Sequence, residues 1–119
     1  MATVFSRYGR RHCVRLAAMM ALALPGAMGW NAALAESTVH TVVIEGMKFS
    51  PDVLEVQVGD TVIWRNKDIV PHNVTAANHA FHSPTISPEG SWKYTARKKG
   101  EYDYLCTLHP TMKAKLILR

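Results

Sequence analysis

Cysteine is almost missing from this 119-residue chain, with Cys13 and Cys106 as its two examples. That excludes a disulfide-stapled scaffold, which needs several pairs. Acidic residues are absent before Glu36. Long apolar runs are absent too: Leu16 to Met28 is broken by Pro25 and Gly26 and is short for a bilayer span. Beyond residue 35 there is no internal repeat, no low-complexity tract and no stretch of helical period, which sets aside solenoids and helix bundles.

The first third of the chain has a purpose other than folding. Arg7, Arg10, Arg11 and Arg15 form a basic head, the apolar run follows, and Ala33-Leu34-Ala35 gives a small-x-small end. Together they spell a secretory signal peptide over residues 1–35, with the periplasm as destination. A retained membrane anchor is the competing reading. Arg10-Arg11 hints at a twin-arginine route, although His12-Cys13-Val14 fits that pattern poorly.

Removal of residues 1–35 leaves a domain of 84 residues, 36–119, with no partner for Cys106. A lone thiol in an exported protein must be buried or metal-bound to survive. The formal charge of +5 falls to +1, because four of the fourteen basic residues leave with the signal. Nucleic-acid binding is therefore not expected, nor is membrane association once the signal is gone. The charge is uneven, net −4 over residues 36–90 and +5 over 91–119.

Period-two alternation dominates the domain, which argues for strands. Thr38 to Glu45 is rich in β-branched residues. Leu54, Val56 and Val58 alternate with Glu55 and Gln57, and Gly59-Asp60 reads as a tight turn that returns Thr61 to Asn66 as a hairpin partner. Pro71 to Pro88 reads mostly as loop, with a short strand near Val74. Trp92, Tyr94 and Ala96 alternate, as do Tyr102, Tyr104 and Cys106, and Lys113 to Leu118 reads as the last strand. Short strands with frequent turns in so small a domain imply an all-β Greek-key β-sandwich.

The chemistry gathers in Cys106-Thr107-Leu108-His109-Pro110-Thr111-Met112. A thiolate, an imidazole and a thioether recur at spacings of three, and a short loop can aim all of them at one point. His72, beside Pro71, is the expected fourth donor. Two imidazoles, a thiolate and a weak thioether form the ligand set of a type 1 blue copper site. Soft sulfur satisfies Cu(I) and imidazole also suits Cu(II), whereas zinc gains little from a thioether. The expected cofactor is one mononuclear copper per chain, held by His72, Cys106, His109 and Met112. Each residue taken alone has a plainer reading: Met112 as core, Cys106 as a small hydrophobe, His72 as a loop residue. Their coincidence is what the copper reading explains.

The chain resembles the cupredoxins, and among them the amicyanin branch, with plastocyanin and pseudoazurin as relatives. The resemblance runs from about Val42 to Leu118. It rests on Met47-Lys48-Phe49, Val58-Gly59-Asp60-Thr61-Val62, Trp64, Pro71-His72-Asn73-Val74, Gly100-Glu101-Tyr102-Asp103-Tyr104 and Cys106-Thr107-Leu108-His109-Pro110-Thr111-Met112. It implies a cupredoxin-like antiparallel sandwich and one-electron transfer without catalysis. It also implies that Asn73 ties the two ligand segments together through the backbone near Thr107. The stretch between His72 and Cys106 is shorter than the amicyanin pattern, so partner surfaces do not carry over with the copper chemistry.

The expected partners are a redox donor and acceptor, such as a dehydrogenase, cytochrome or reductase. They would meet a monomer at an apolar surface around His109, formed by Leu108, Pro110 and Pro71. Lys93, Arg97, Lys98, Lys99, Lys113 and Lys115 are candidates for a steering flank, or else a solvated face. Periplasmic copper carriage or storage without redox work is the alternative function. A cysteine-nucleophile enzyme would leave Met112 unexplained. His79 and His82 stand at H-x-x-H spacing, as a second metal site or as plain loop histidines.

Overall fold

The computed structural model describes residues 36–119, together with residues 21, 23, 26 and 29; the proposed signal segment otherwise lies outside the described residues. Among these residues there are eight strands and no helix. They are β1 (Val39–Glu45), β2 (Lys48–Ser50), β3 (Val53–Val56), β4 (Thr61–Asn66), β5 (Thr75–Ala76), β6 (Ser91–Thr95), β7 (Gly100–Cys106) and β8 (His109–Leu118). One sheet has the order β2-β1-β4-β6 and the other β3-β8-β7-β5. The all-β sandwich expected from alternation is what forms.

Burial follows the alternation. Val42 and Ile44 of β1, Val62 and Trp64 of β4, Tyr102, Tyr104 and Cys106 of β7, and Leu116 and Leu118 of β8 all point into one core. Period two sends their odd neighbours outward, so one register satisfies every strand. Trp64 stands at the centre, fully buried. It meets Tyr104 edge-on at 5.7 Å and Trp92 at 5.5 Å between ring centroids. Such aromatic pairs contribute about 0.5–1.5 kcal/mol each beyond their buried area.

Two expectations need correction. The sheets are not wholly antiparallel: β1 pairs β4 in parallel, as does β3 with β8. In addition, β3 and β4 are not hairpin partners, because they belong to different sheets. The Gly59-Asp60 turn is an arch that carries the chain from one layer to the other. The buried Asp60 carboxylate makes that possible by accepting the backbone N–H groups of Thr38 and Gln57, both at 2.9 Å. Alternation alone fits either arrangement, since both strands need one inward face.

A third correction concerns Cys106 to Met112. Only Thr107 and Leu108 lie outside strands, and Cys106 pairs directly with His109 after a register shift at Leu105/Cys106. A shift of this kind twists a strand end and re-aims its side chains. Met112 lies within β8 and is buried.

Candidate metal centre

Three loops meet at the end of the sandwich where β7 stops. The β1–β2 connection is a two-residue turn, Gly46-Met47, with positive φ at both positions (61° and 60°). Both central residues of a type I′ hairpin turn need that conformation. The β4–β5 connection carries Asp68, Pro71, His72 and Asn73, and the β7–β8 turn carries Thr107 and Leu108.

His72, Cys106 and His109 converge there. Cys106 Sγ lies 3.7 Å from His72 Nδ1 and 3.8 Å from His109 Nδ1, and the two Nδ1 atoms are 3.1 Å apart. The point equidistant from all three atoms lies about 2.1 Å from each, a length suited to metal–nitrogen and short metal–sulfur bonds of about 2.0–2.3 Å. His72 and Cys106 are fully buried, while His109 is half-buried. The donor chemistry, spacing and burial fit a single soft-to-borderline transition metal such as copper. Met112, three residues along β8 from His109, is buried with them.

Hydrogen bonds hold this arrangement. The Asn73 side chain donates to the Thr107 hydroxyl at 2.6 Å and accepts the Thr107 backbone N–H at 2.9 Å. The Asn73 backbone N–H points at Cys106 Sγ, 3.4 Å away. Asn66, buried in β4, donates its side-chain amide to the carbonyls of Val70 and Ile86, which anchors both flanks of His72.

Asp68 was missed in the sequence. Its Oδ2 lies 2.8 Å from His72 Nε2, and its two oxygens also accept the N–H groups of Gly46 and Met47. Burial pushes its carboxyl up, but the Met47 amide, the His72 ring and the Gly46 amide outweigh that and hold it below the ordinary value. The Asp-x-x-x-His spacing was the available signal, yet in a loop that spacing implies no contact.

His79 and His82 do not join the centre. His79 is exposed, and His82 Nδ1 is engaged by the Thr75 hydroxyl at 2.9 Å. The expected basic flank is dispersed. Arg97, Lys98 and Lys99 precede Gly100, at the end of β7 remote from Cys106, about 20 Å away at strand rise. Lys115 is occupied by Glu101 at 3.4 Å. Strand direction separates these residues although they are close in sequence.

The fold and site define a class. Residues 16–118 match the cupredoxin-like domain, and the chain belongs to that family. Within it, the chain is 32% identical to amicyanin from Paracoccus denitrificans over 91% of its own length and 94% of that protein's. It is 34% identical to amicyanin from Paracoccus versutus over 65% of this chain and 62% of that one. A Cu(I) structure of an amicyanin variant superposes with a TM-score of 0.64 at 35% identity, covering 74% of this chain and 88% of that one. A copper-containing nitrite reductase from Thermus scotoductus gives a TM-score of 0.66 at 30% identity over 71% of this chain, but the match covers just 23% of that enzyme.

Proposed function

We propose that this protein is an exported blue copper electron carrier, with His72, Cys106, His109 and Met112 as the ligands of one copper ion. The observation that carries the reading is the triangle of Cys106 Sγ, His72 Nδ1 and His109 Nδ1, with edges of 3.1 to 3.8 Å around a common centre. Bound there, copper would supply a one-electron Cu(I)/Cu(II) couple.

The chain's own residues supply rigidity and access. Cys106 and His72 are locked on β7 and the β4–β5 loop by Asn73 and Asn66, so the donors are already in place and little must rearrange between oxidation states. His72 has no solvent edge, whereas His109 is half-buried at the surface. Around His109 stand Pro71, Leu108 and Pro110, all exposed. Ile69 on the neighbouring loop is 94% exposed. A small apolar face beside a half-buried ligand suits brief outer-sphere encounters with a redox protein. Amicyanin-like redox partners fit this surface in kind, without fixing which donor or acceptor is used.

A copper shuttle that hands over its ion needs ligands open to exchange, and the full burial of Cys106 and His72 opposes that role. The nitrite reductase likeness is confined to the shared domain, so no enzymatic reaction follows from it. For export, the basic head, apolar run and Ala33-Leu34-Ala35 over residues 1–35 are the support.

The test is Cu(II) addition to purified copper-free protein. The expected result is an intense visible thiolate-to-copper band, a small copper hyperfine splitting and one ion per chain. Cys106→Ser should abolish the band. A colourless complex in the parent protein would refute the reading.

A further inference from the structure

Asp68 sits at a junction whose geometry decides what His72 can do. An ionised carboxylate only accepts hydrogen bonds. The 2.8 Å contact between Asp68 Oδ2 and His72 Nε2 therefore requires a proton on Nε2. A neutral imidazole carries one such proton, so Nδ1 is left with its lone pair, aimed at Cys106 Sγ and His109 Nδ1. The other tautomer would put an N–H on Nδ1 and leave the buried Nε2 facing an anion. Burial of the ring makes that mismatch costly, because no water can repair it.

The same carboxylate grips a second element. Its Oδ1 accepts the Gly46 N–H at 2.7 Å and its Oδ2 the Met47 N–H at 3.0 Å. Met47 is a non-glycine residue at φ 60°, a conformation that side-chain-bearing residues seldom adopt unaided. Asp68 is itself fixed from behind, since its N–H donates to Asn66 Oδ1 at 2.9 Å.

We infer that Asp68 is a positioning residue for the metal centre: it selects the His72 tautomer that leaves Nδ1 free to coordinate, and it couples that ring to the exposed Gly46–Met47 turn. This rests on the copper reading of the site and deepens it. A negative charge on the ligand's outer nitrogen makes the imidazole a stronger donor, which favours the more oxidised ion. Asp68 therefore holds the reduction potential down. Loss of the charge raises it even where the fold is intact.

The deciding measurements are made on the copper-free and copper-loaded protein. In the copper-free parent, nitrogen-15 NMR should show the His72 proton on Nε2. Asp68→Asn and Asp68→Ala should shift the reduction potential of the blue protein to more positive values. They should also speed copper release to a chelator by roughly 10–100-fold, and expose the Gly46 and Met47 amides to faster hydrogen exchange. Asp68→Glu should recover part of each effect. A merely structural role would lower stability without moving the potential. The inference is overturned if the parent His72 carries its proton on Nδ1, or if blue Asp68→Asn and Asp68→Ala proteins keep the parental potential and release rate. A parent that takes up no copper would sink the copper reading, while the tautomer and the amide exchange would still judge Asp68. If Asp68→Ala fails to fold, the nitrogen measurement on the parent decides.

Discussion

Asn73 and Thr107, 34 residues apart in the chain, hold each other in both directions: the Asn73 amide donates to the Thr107 hydroxyl and its oxygen accepts the Thr107 backbone N–H. That pair closes the gap between the loop bearing His72 and the turn that follows Cys106. The Asn73 oxygen also accepts the Thr75 hydroxyl at 3.1 Å, so one side chain makes three hydrogen bonds to two residues.

Asn73→Ala should therefore act on the centre without removing a donor atom. Loss of these bonds should cost about 1–3 kcal/mol in urea unfolding of the copper-free protein. Copper should also leave faster for a chelator. Unchanged release with lowered stability would show that the bridge supports the fold and not the centre.

Asp60 governs the opposite end. Its carboxyl is lowered from 3.8 to about 2, chiefly by the Thr38 N–H, then by the Gln57 N–H and by His40, whose Nε2 is 3.0 Å away. Folding depresses this acid, so its contribution is complete above the unfolded value near 4 and is lost as pH falls through about 2. Acid titration of stability should show a loss between those limits. Asp60→Asn should flatten that part of the profile and lower stability at neutral pH, where the arch between β3 and β4 depends on it.

Tyr104 gives the mirror case at high pH. Burial pushes its phenol from 10.0 up to about 12, against a smaller opposing effect of the hydrogen bond from Trp64. The folded state keeps the proton longer, so stability is intact below about pH 10 and falls as pH rises through about 12. A rise of that size corresponds to about 2–3 kcal/mol for this group. Tyr104→Phe should remove that alkaline loss. It should also lower neutral stability by about 1–3 kcal/mol, because the Trp64 indole N–H is left without its acceptor. Denaturant midpoints from pH 9 to 12 for both proteins are the check.

His79→Ala and His82→Ala, singly or together, should leave copper stoichiometry at one per chain and the blue band unchanged. The Thr75 hydroxyl already engages His82 Nδ1. Metal analysis showing a second ion lost in the double variant would contradict this.

Much of the molecule was legible in its residues, for reasons that differ by element. The inward sets of β7 and β8 followed from alternation, because each of those strands has one buried face, whereas the consecutive Val42-Val43-Ile44 of β1 marks a strand without saying which side faces in. The candidate donors Cys106 and His109 stood out because soft sulfur and imidazole recur at close spacing. Layer assignment was not legible. Leu54 and Val56 face inward whether β3 turns back beside β4 or crosses to the other sheet, and the deciding contact is the Asp60 carboxylate, which looks like an ordinary turn acid. Asp68 was hidden for the same reason: a loop acid acquires meaning when folding places an imidazole against it. The scatter of the basic residues was invisible because seven residues of strand carry a side chain across the whole molecule.

The hairpin of β7 and β8 has one more consequence. It carries three of the four candidate donors, and its second strand is the piece that joins β7 to β3 in the same sheet. In chain order that strand follows the other seven described strands. A chain made only as far as β7 thus lacks two of the candidate donors, so any metal binding at this centre would wait until the second sheet is complete.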